Sequence, residues 1–199
     1  MRDFDRLLAA AQGQAEVDWL VALDSTIVRA HQHTAAKEGS KNEDSDAPAA
    51  GSPAKIHLAC DGRGRPLAFV VTAGTRNDCT QAEAVIDAIR VAGSGPGRPR
   101  RRPGRVVADK GYSARTFRAC ADEVSKRPSP SASTNSQAGH DAGRRPCGFD
   151  RAVYRRRNVV ERCFHRLKQW RGIATRYDKQ PGRYRAAITL ASTLIWLDT

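Results

Sequence analysis

The chain has 199 residues, 40% of them hydrophobic, enough for one domain with a real core. Lys and Arg outnumber Asp and Glu by 34 to 21, and the resulting formal net charge of +13 favours a polyanionic partner such as nucleic acid. The most apolar run, AAITLASTLIWL, falls short of the ~20 residues a membrane helix needs, MRDFDRLLAA is no secretory leader, and five cysteines without a C-x-x-C pair look like reduced thiols, so a soluble, cytoplasmic chain is expected.

Residues 1 to 15 read as a short helix. WLVALDSTIV is a β-branched, apolar run of strand length that ends near Thr26 and carries Asp24. The polar, small and charged stretch at about 34–54 is expected to be a loop or insert without chemistry. Residues 55 to 60 and 66 to 73 are apolar strands joined by DGRGRP, whose Asp, Gly and Pro specify a tight turn and hence an antiparallel hairpin. Asp78, with Gln81 three residues on, resembles a capping box opening a helix through Ala84, Val85, Ala88 and Ile89, and capping is the role expected of Asp78. GRPRRRPGR, residues 97 to 105, is basic and Pro-rich, and DNA contact is expected from Arg100, Arg101 and Arg102. RVVADKGY then forms a strand at 105 to 109 ending in Asp109, and Ser113 can cap a helix through Phe117 and Cys120. Residues 124 to 148 lose all periodicity and read as a loop. A helix carrying Glu161 and a last apolar helix, about Tyr184 to Leu197, complete the chain, with Phe164, Trp170 and Trp196 expected in the core. This order fits a single α/β domain over residues 1–199, a mixed sheet with helices on its faces.

Tyr154, Arg157, Glu161 and Lys168 stand at offsets i, i+3, i+7 and i+14. At 3.6 residues per turn they fall within about 60° of one another on one helical stripe. Val153, Val160, Phe164 and Leu167 form an apolar stripe beside it, so Glu161 is expected near the core margin. A lone carboxylate there is costly, so Glu161 is either ion-paired or bound to a metal. An aspartate at a strand end more often starts a turn or caps a helix, and for Asp24 or Asp109 alone that is the better reading. Together with Glu161 they give three acidic side chains that can converge at a sheet end, and hard oxygen ligands suit Mg²⁺ or Mn²⁺. His31 and His33 follow the first strand, but the carboxylates already suffice for a metal. Arg157 and Lys168 suit phosphate contacts. Tyr154 can hydrogen-bond a phosphate, stack on a displaced base, or simply pack at the core edge.

These strings resemble the DDE transposases of bacterial insertion sequences, of the insertion-sequence-four and insertion-sequence-five type. VALDSTIVRAHQH resembles the family's first-aspartate strand, KIHLACDGRGRPLAFVVTAG its central hairpin and VVADKGYSA its second-aspartate strand. YRRRNVVERCFHRLKQWRGIATRYDK looks like its Y-x2-R-x3-E-x6-K signature, and the likeness covers most of residues 17 to 123 and 149 to 197. The resemblance implies a ribonuclease-H-like fold with the first and fourth strands side by side. It implies Asp24, Asp109 and Glu161 as catalytic ligands of two Mg²⁺ (or Mn²⁺) ions, with Asp24 bridging both. It also implies transposon-end and target DNA as partners, a homodimer on DNA, nicking by water and attack on target DNA by the freed 3′-hydroxyl.

Family members carry an N-terminal helical DNA-binding region, whereas this chain begins a few residues before the first-aspartate strand. Ahead of KIHLACD the acidic EDSDAPAAGSPA replaces a Gly- and Arg-rich stretch, and residues 124 to 148 hold no further apolar strand. A truncated or degenerate copy is therefore expected. Two other readings stay open: a ribonuclease-H-like DNA endonuclease or resolvase without strand transfer, and an inactive DNA-binding remnant.

Overall fold

The computed structural model describes residues 2–31, 48–49, 51–93, 97–108, 112 and 155–198. Its elements are α1 (Arg2–Gln14), β1 (Leu20–Val28), β2 (Ala54–Cys60), β3 (Pro66–Ala73), α2 (Asp78–Asp87), β4 (Arg105–Ala108), α3 (Asn158–Lys168), α4 (Arg171–Ala174) and α5 (Pro181–Leu197). Asp109, Tyr154, His33, the helix expected after Ser113, the loop at 124 to 148 and nearly all of the insert at 34–54 lie outside the described residues.

The strands form one sheet in the order β3-β2-β1-β4. β1 pairs antiparallel with β2, β2 antiparallel with β3, and β1 parallel with β4. This is the expected α/β architecture, a mixed sheet flanked by helices in the ribonuclease-H-like arrangement, with the first and fourth strands adjacent.

The hairpin turn is built from its own side chains. Asp61 accepts from the Arg63 and Arg65 N–H groups at 3.0 and 2.8 Å, and Gly64 takes φ +84°, which only glycine adopts without strain. Asp61 and Arg65 also form a buried ion pair at 2.6 Å, and the Arg65 guanidinium lies 4.0 Å over the Trp196 ring.

Side-chain alternation along the strands splits the core into two layers. On one face Ala22, Val28, Ile56, Leu58 and Cys60 meet Val160, Cys163, Phe164 and Leu167 of α3 and Ile188 and Ile195 of α5. On the other, Val21, Leu23, Ala59 and Leu67 meet Ala11 of α1 and Ala82 and Val85 of α2. Each fully buried aliphatic side chain contributes about 1.5–3 kcal/mol, so both faces stabilise the position of β1.

Three sequence expectations are corrected. The α2 cap is Asn77, whose side chain accepts from Cys79 N at 3.0 Å, while Asp78 occupies the first helical turn and pairs with Lys55 at 3.1 Å. Asp78 is thereby released from capping because Asn77 has the extended backbone a cap requires. Trp170 is 37% exposed, unlike the buried Phe164 and Trp196, because it falls in the junction between α3 and α4. The last helix starts at Pro181, a turn earlier than the apolar pattern suggests, since proline is favoured at a first helical position. Among the described residues no helix is long and apolar enough to cross a membrane.

Candidate active site

Asp24 lies in the second half of β1, where the chain changes from the buried run Leu20–Leu23 to half-buried polar residues. Alternation puts it on the face shared by Ala22 and Val28, which is the face α3 covers. Its Oδ1 accepts from the Ser25 N–H at 2.8 Å, which orients the carboxylate. In the parallel ladder Val21 pairs with Val106 and Leu23 with Ala108, so the residue before Asp24 and the residue before Asp109 are partners. Tyr112, three residues beyond Asp109, is buried among Val85, Leu23 and Ala82. Burial first, then the negative charges of Asp78 and Asp24, push its hydroxyl far above the ordinary tyrosine value, so it keeps its proton against the Ser25 side chain.

α3 runs in the same sense as β1. Near its start Arg156 pairs with Asp18 just ahead of β1, Val159 faces Gly64 in the hairpin turn, Cys163 meets Cys60 opposite Ala22, and Lys168 Nζ donates to Thr26 Oγ1 at 2.6 Å. Burial would raise Asp18, but the Leu20 N–H and Arg156 outweigh it and hold the carboxyl below its usual value. Burial also lowers the Lys168 ammonium.

The signature residues therefore fall in different settings. Arg157 stands at the N-cap of α3, and Glu161 is exposed, its carboxylate accepting from Arg157 at 3.2 Å. Glu161 thus lies outside the core margin expected for it, because Val159, Val160 and Cys163 take the buried positions around it, and of the two alternatives the ion pair is the one formed. Lys168 reaches β1 two residues beyond Asp24 on the same strand face, whereas Glu161 precedes Cys163 and is level with the first half of the strand. Among the described residues no group of three or more His, Cys, Asp or Glu side chains is close enough to hold a metal ion; Asp109 is outside that set.

The basic run at 97 to 105 sits at the opposite, N-terminal end of β4. Arg100 is bridged to Val91, and its guanidinium stacks 3.9 Å over Trp19, with Gly104 N donating to Trp19 O at 2.9 Å. Arg101 and Arg102 are exposed there. His31 stacks on Tyr177, with ring centroids 4.7 Å apart.

With that geometry in place, a family model described as the transposase DDE domain matches residues 16–196. The chain belongs to the DDE transposase family. A protein of Brucella ovis named as transposase for insertion sequence element IS6501 is 28% identical over 143 residues, covering 72% of this chain and 97% of that protein. A Burkholderia cepacia protein named as transposase for insertion sequence element IS402 is 29% identical over 145 residues, 73% of this chain but only 63% of that relative, so the match spans less than two thirds of its length. No solved structure matches the chain. The family is one of DNA-acting nucleases and transferases that generally use divalent metal ions.

Thr26, Tyr112 and Asp18 were not singled out by the sequence pattern. Asp18 stands just ahead of the first-aspartate strand, Thr26 lies within it and Tyr112 belongs to the DKGY string, but only contact with α3 and α2 separates them from ordinary neighbours of a strand.

Proposed function

We propose that this DDE transposase domain cuts phosphodiester bonds at transposon ends and joins the freed end to target DNA, using Asp24, Asp109 and Glu161 as the acidic ligands of two Mg²⁺ or Mn²⁺ ions. The observation that carries the reading is the parallel pairing of Leu23 with Ala108, because Asp24 follows the one and Asp109 the other in the sequence. The donor set fits the metal, since carboxylate oxygens are the hard ligands that Mg²⁺ and Mn²⁺ prefer. Bound there, the cations would activate the attacking hydroxyl and stabilise the leaving oxygen.

The chain's own groups do the rest. The Ser25 N–H keeps one Asp24 oxygen engaged and directs the carboxylate. Glu161 must leave Arg157 to serve as a ligand, and a solvent-exposed i,i+4 pair of this kind is worth only about 0.3–0.5 kcal/mol, so the exchange is easy. Arg157, once released, is suited to grip a phosphate in two-pronged fashion. Lys168, anchored on Thr26, brings a positive charge to the Asp24 end of β1, where it would meet the DNA backbone. Tyr154, three residues before Arg157 in the sequence, would contact the DNA as well, and Arg101 and Arg102 would contact a more distant part of a DNA duplex.

The test is Mg²⁺-dependent cleavage of end-labelled DNA by the full chain. Glu161→Gln is expected to abolish strand cleavage while DNA binding persists, and an Asp109→Ala control should behave alike. Cleavage retained in Glu161→Gln would refute the ligand assignment. A strand-transfer product separates a transposase from a nuclease of the same fold.

A further inference from the structure

Tyr177 follows a residue held by many hydrogen bonds. Arg176, directly before it, is fully buried. Its backbone N–H donates to Arg29 O at 3.1 Å and its carbonyl accepts from His31 N at 2.9 Å, which welds this segment to the chain leaving β1. Its guanidinium donates to the carbonyls of Pro48, Ala49, Ser52, Asp178 and Lys179 at 3.1 to 3.4 Å. A buried charge is tolerated only when its hydrogen bonds are met, so five carbonyls fix Arg176 and with it the start of Tyr177.

Tyr177 itself remains 40% exposed, with the His31 ring stacked on it at a centroid distance of 4.7 Å and an interplanar angle of 32°. The contrast is Tyr184, fully buried with its hydroxyl bonded to Ile173 O at 2.9 Å. Arg29 and Lys179, each two residues from one of the rings in sequence, are exposed, and Lys168 is anchored on Thr26 farther back along β1. Among the described residues next to the ring pair in sequence, Asp178 is the acidic one, against the cations Arg29 and Lys179. A preset aromatic face amid cations is what a nucleobase on a phosphate chain requires, since the ring supplies stacking and the cations hold the backbone. A paired base has both faces covered by its neighbours in the duplex. Only an unstacked base can lie on Tyr177.

We propose that Tyr177, backed by His31, is a stacking site for an unpaired base of the DNA strand. The site rests on the chain acting on DNA and deepens that reading. At about 3.3 Å per residue, the six residues from Asp24 to Ala30 span about 20 Å. The base held here is therefore several nucleotides from the Asp24 end, on a strand that has separated from its complement.

The experiment titrates the full chain, without metal and at low salt, into a single-stranded oligonucleotide carrying one 2-aminopurine and into the same sequence as a duplex. The wild type and Tyr177→Phe should quench the 2-aminopurine on binding. Tyr177→Leu, which keeps bulk without a π face, should lose the quench and bind the single strand about five- to tenfold more weakly, with duplex affinity unchanged. His31→Leu, which leaves Tyr177 in place, should weaken the single-strand complex in the same direction and serves as the second variant if Tyr177→Leu fails to fold. Equal quenching and affinity in the wild type and Tyr177→Leu would overturn the site. A wild type that binds duplex but no single strand would also overturn it while leaving the DNA reading intact, and binding to neither would sink both.

Discussion

Among the described residues, His57 should carry the loss of stability between neutral pH and about pH 5. The side chain is 1% exposed on β2, and its Nε2 lies 2.9 Å from Thr72 Oγ1, whose own proton goes to Ala73 O at 3.2 Å. That network assigns the imidazole proton to Nε2 and leaves Nδ1 as a bare acceptor 3.7 Å from Asp78 Oδ1. Burial pushes the imidazole down to about 4, against the pull of Asp78 and with the help of Lys55. The folded value lies below the unfolded value of 6.5, so between the two the unfolded chain binds a proton that the native chain refuses. Stability is therefore full well above pH 6.5 and falls as pH drops through 6.5 toward 4, and only below that are both states protonated alike. Integrating the linkage from neutral pH down to about pH 5 gives a loss of about 2 kcal/mol. Urea denaturation at about pH 7.5, 6 and 5 measures it, with His57→Gln as the comparison because the amide can still donate to Thr72 and does not titrate. The wild type should lose stability over that range and His57→Gln much less. Identical pH slopes in the two proteins would show that His57 is not the group responsible.

Gly64→Ala should cost about 1–2 kcal/mol, because φ +84° disfavours any Cβ and the added methyl would stand 3.3 Å from Val159 Cγ1; thermal melting reads it, and an unchanged melting temperature would mean the turn relaxes freely. Arg65→Met leaves Asp61, 0% exposed, without its partner and should destabilise by about 3–5 kcal/mol, with Asp61→Asn added in the same chain recovering part of the loss. Lys168→Met should lower DNA affinity and flatten the salt dependence of binding by about one ion, and an unchanged slope would remove Lys168 from the phosphate contacts. Glu161→Gln, described above, separates cleavage from binding.

Much of the fold was legible because its signals are local. The hairpin at 55 to 60 and 66 to 73 appears as Ala54–Cys60 and Pro66–Ala73, since strand alternation and the Asp-Gly-x-Gly turn act within a few residues. Local signals failed where two neighbours compete for one role. Asn77 and Asp78 can both cap a helix, and the backbone angle that selects Asn77 is set by how the preceding turn meets β2 through Lys55, which donates to Arg76 O at 2.8 Å. Residue type alone places Trp170 in the core, but burial is decided by whether another element covers it, and Leu194 and Leu197 beside it are themselves exposed.

The site shows the same division. Residue identity and spacing alone nominated Asp24, Asp109, Glu161 and the Arg157 and Lys168 partners, because oxygen donors on strand ends and a polar helical stripe are written in one dimension. Tertiary structure alone decided that Arg157 holds Glu161, that Lys168 docks on Thr26, and that Arg100 is spent on Trp19 at the far end of β4. The physical reason is range. Periodicity and turn chemistry depend on neighbours in the chain, whereas an ion pair, a stacked ring or a buried hydroxyl depends on which distant segment arrives within a few ångströms, and only packing of the two core layers sets that.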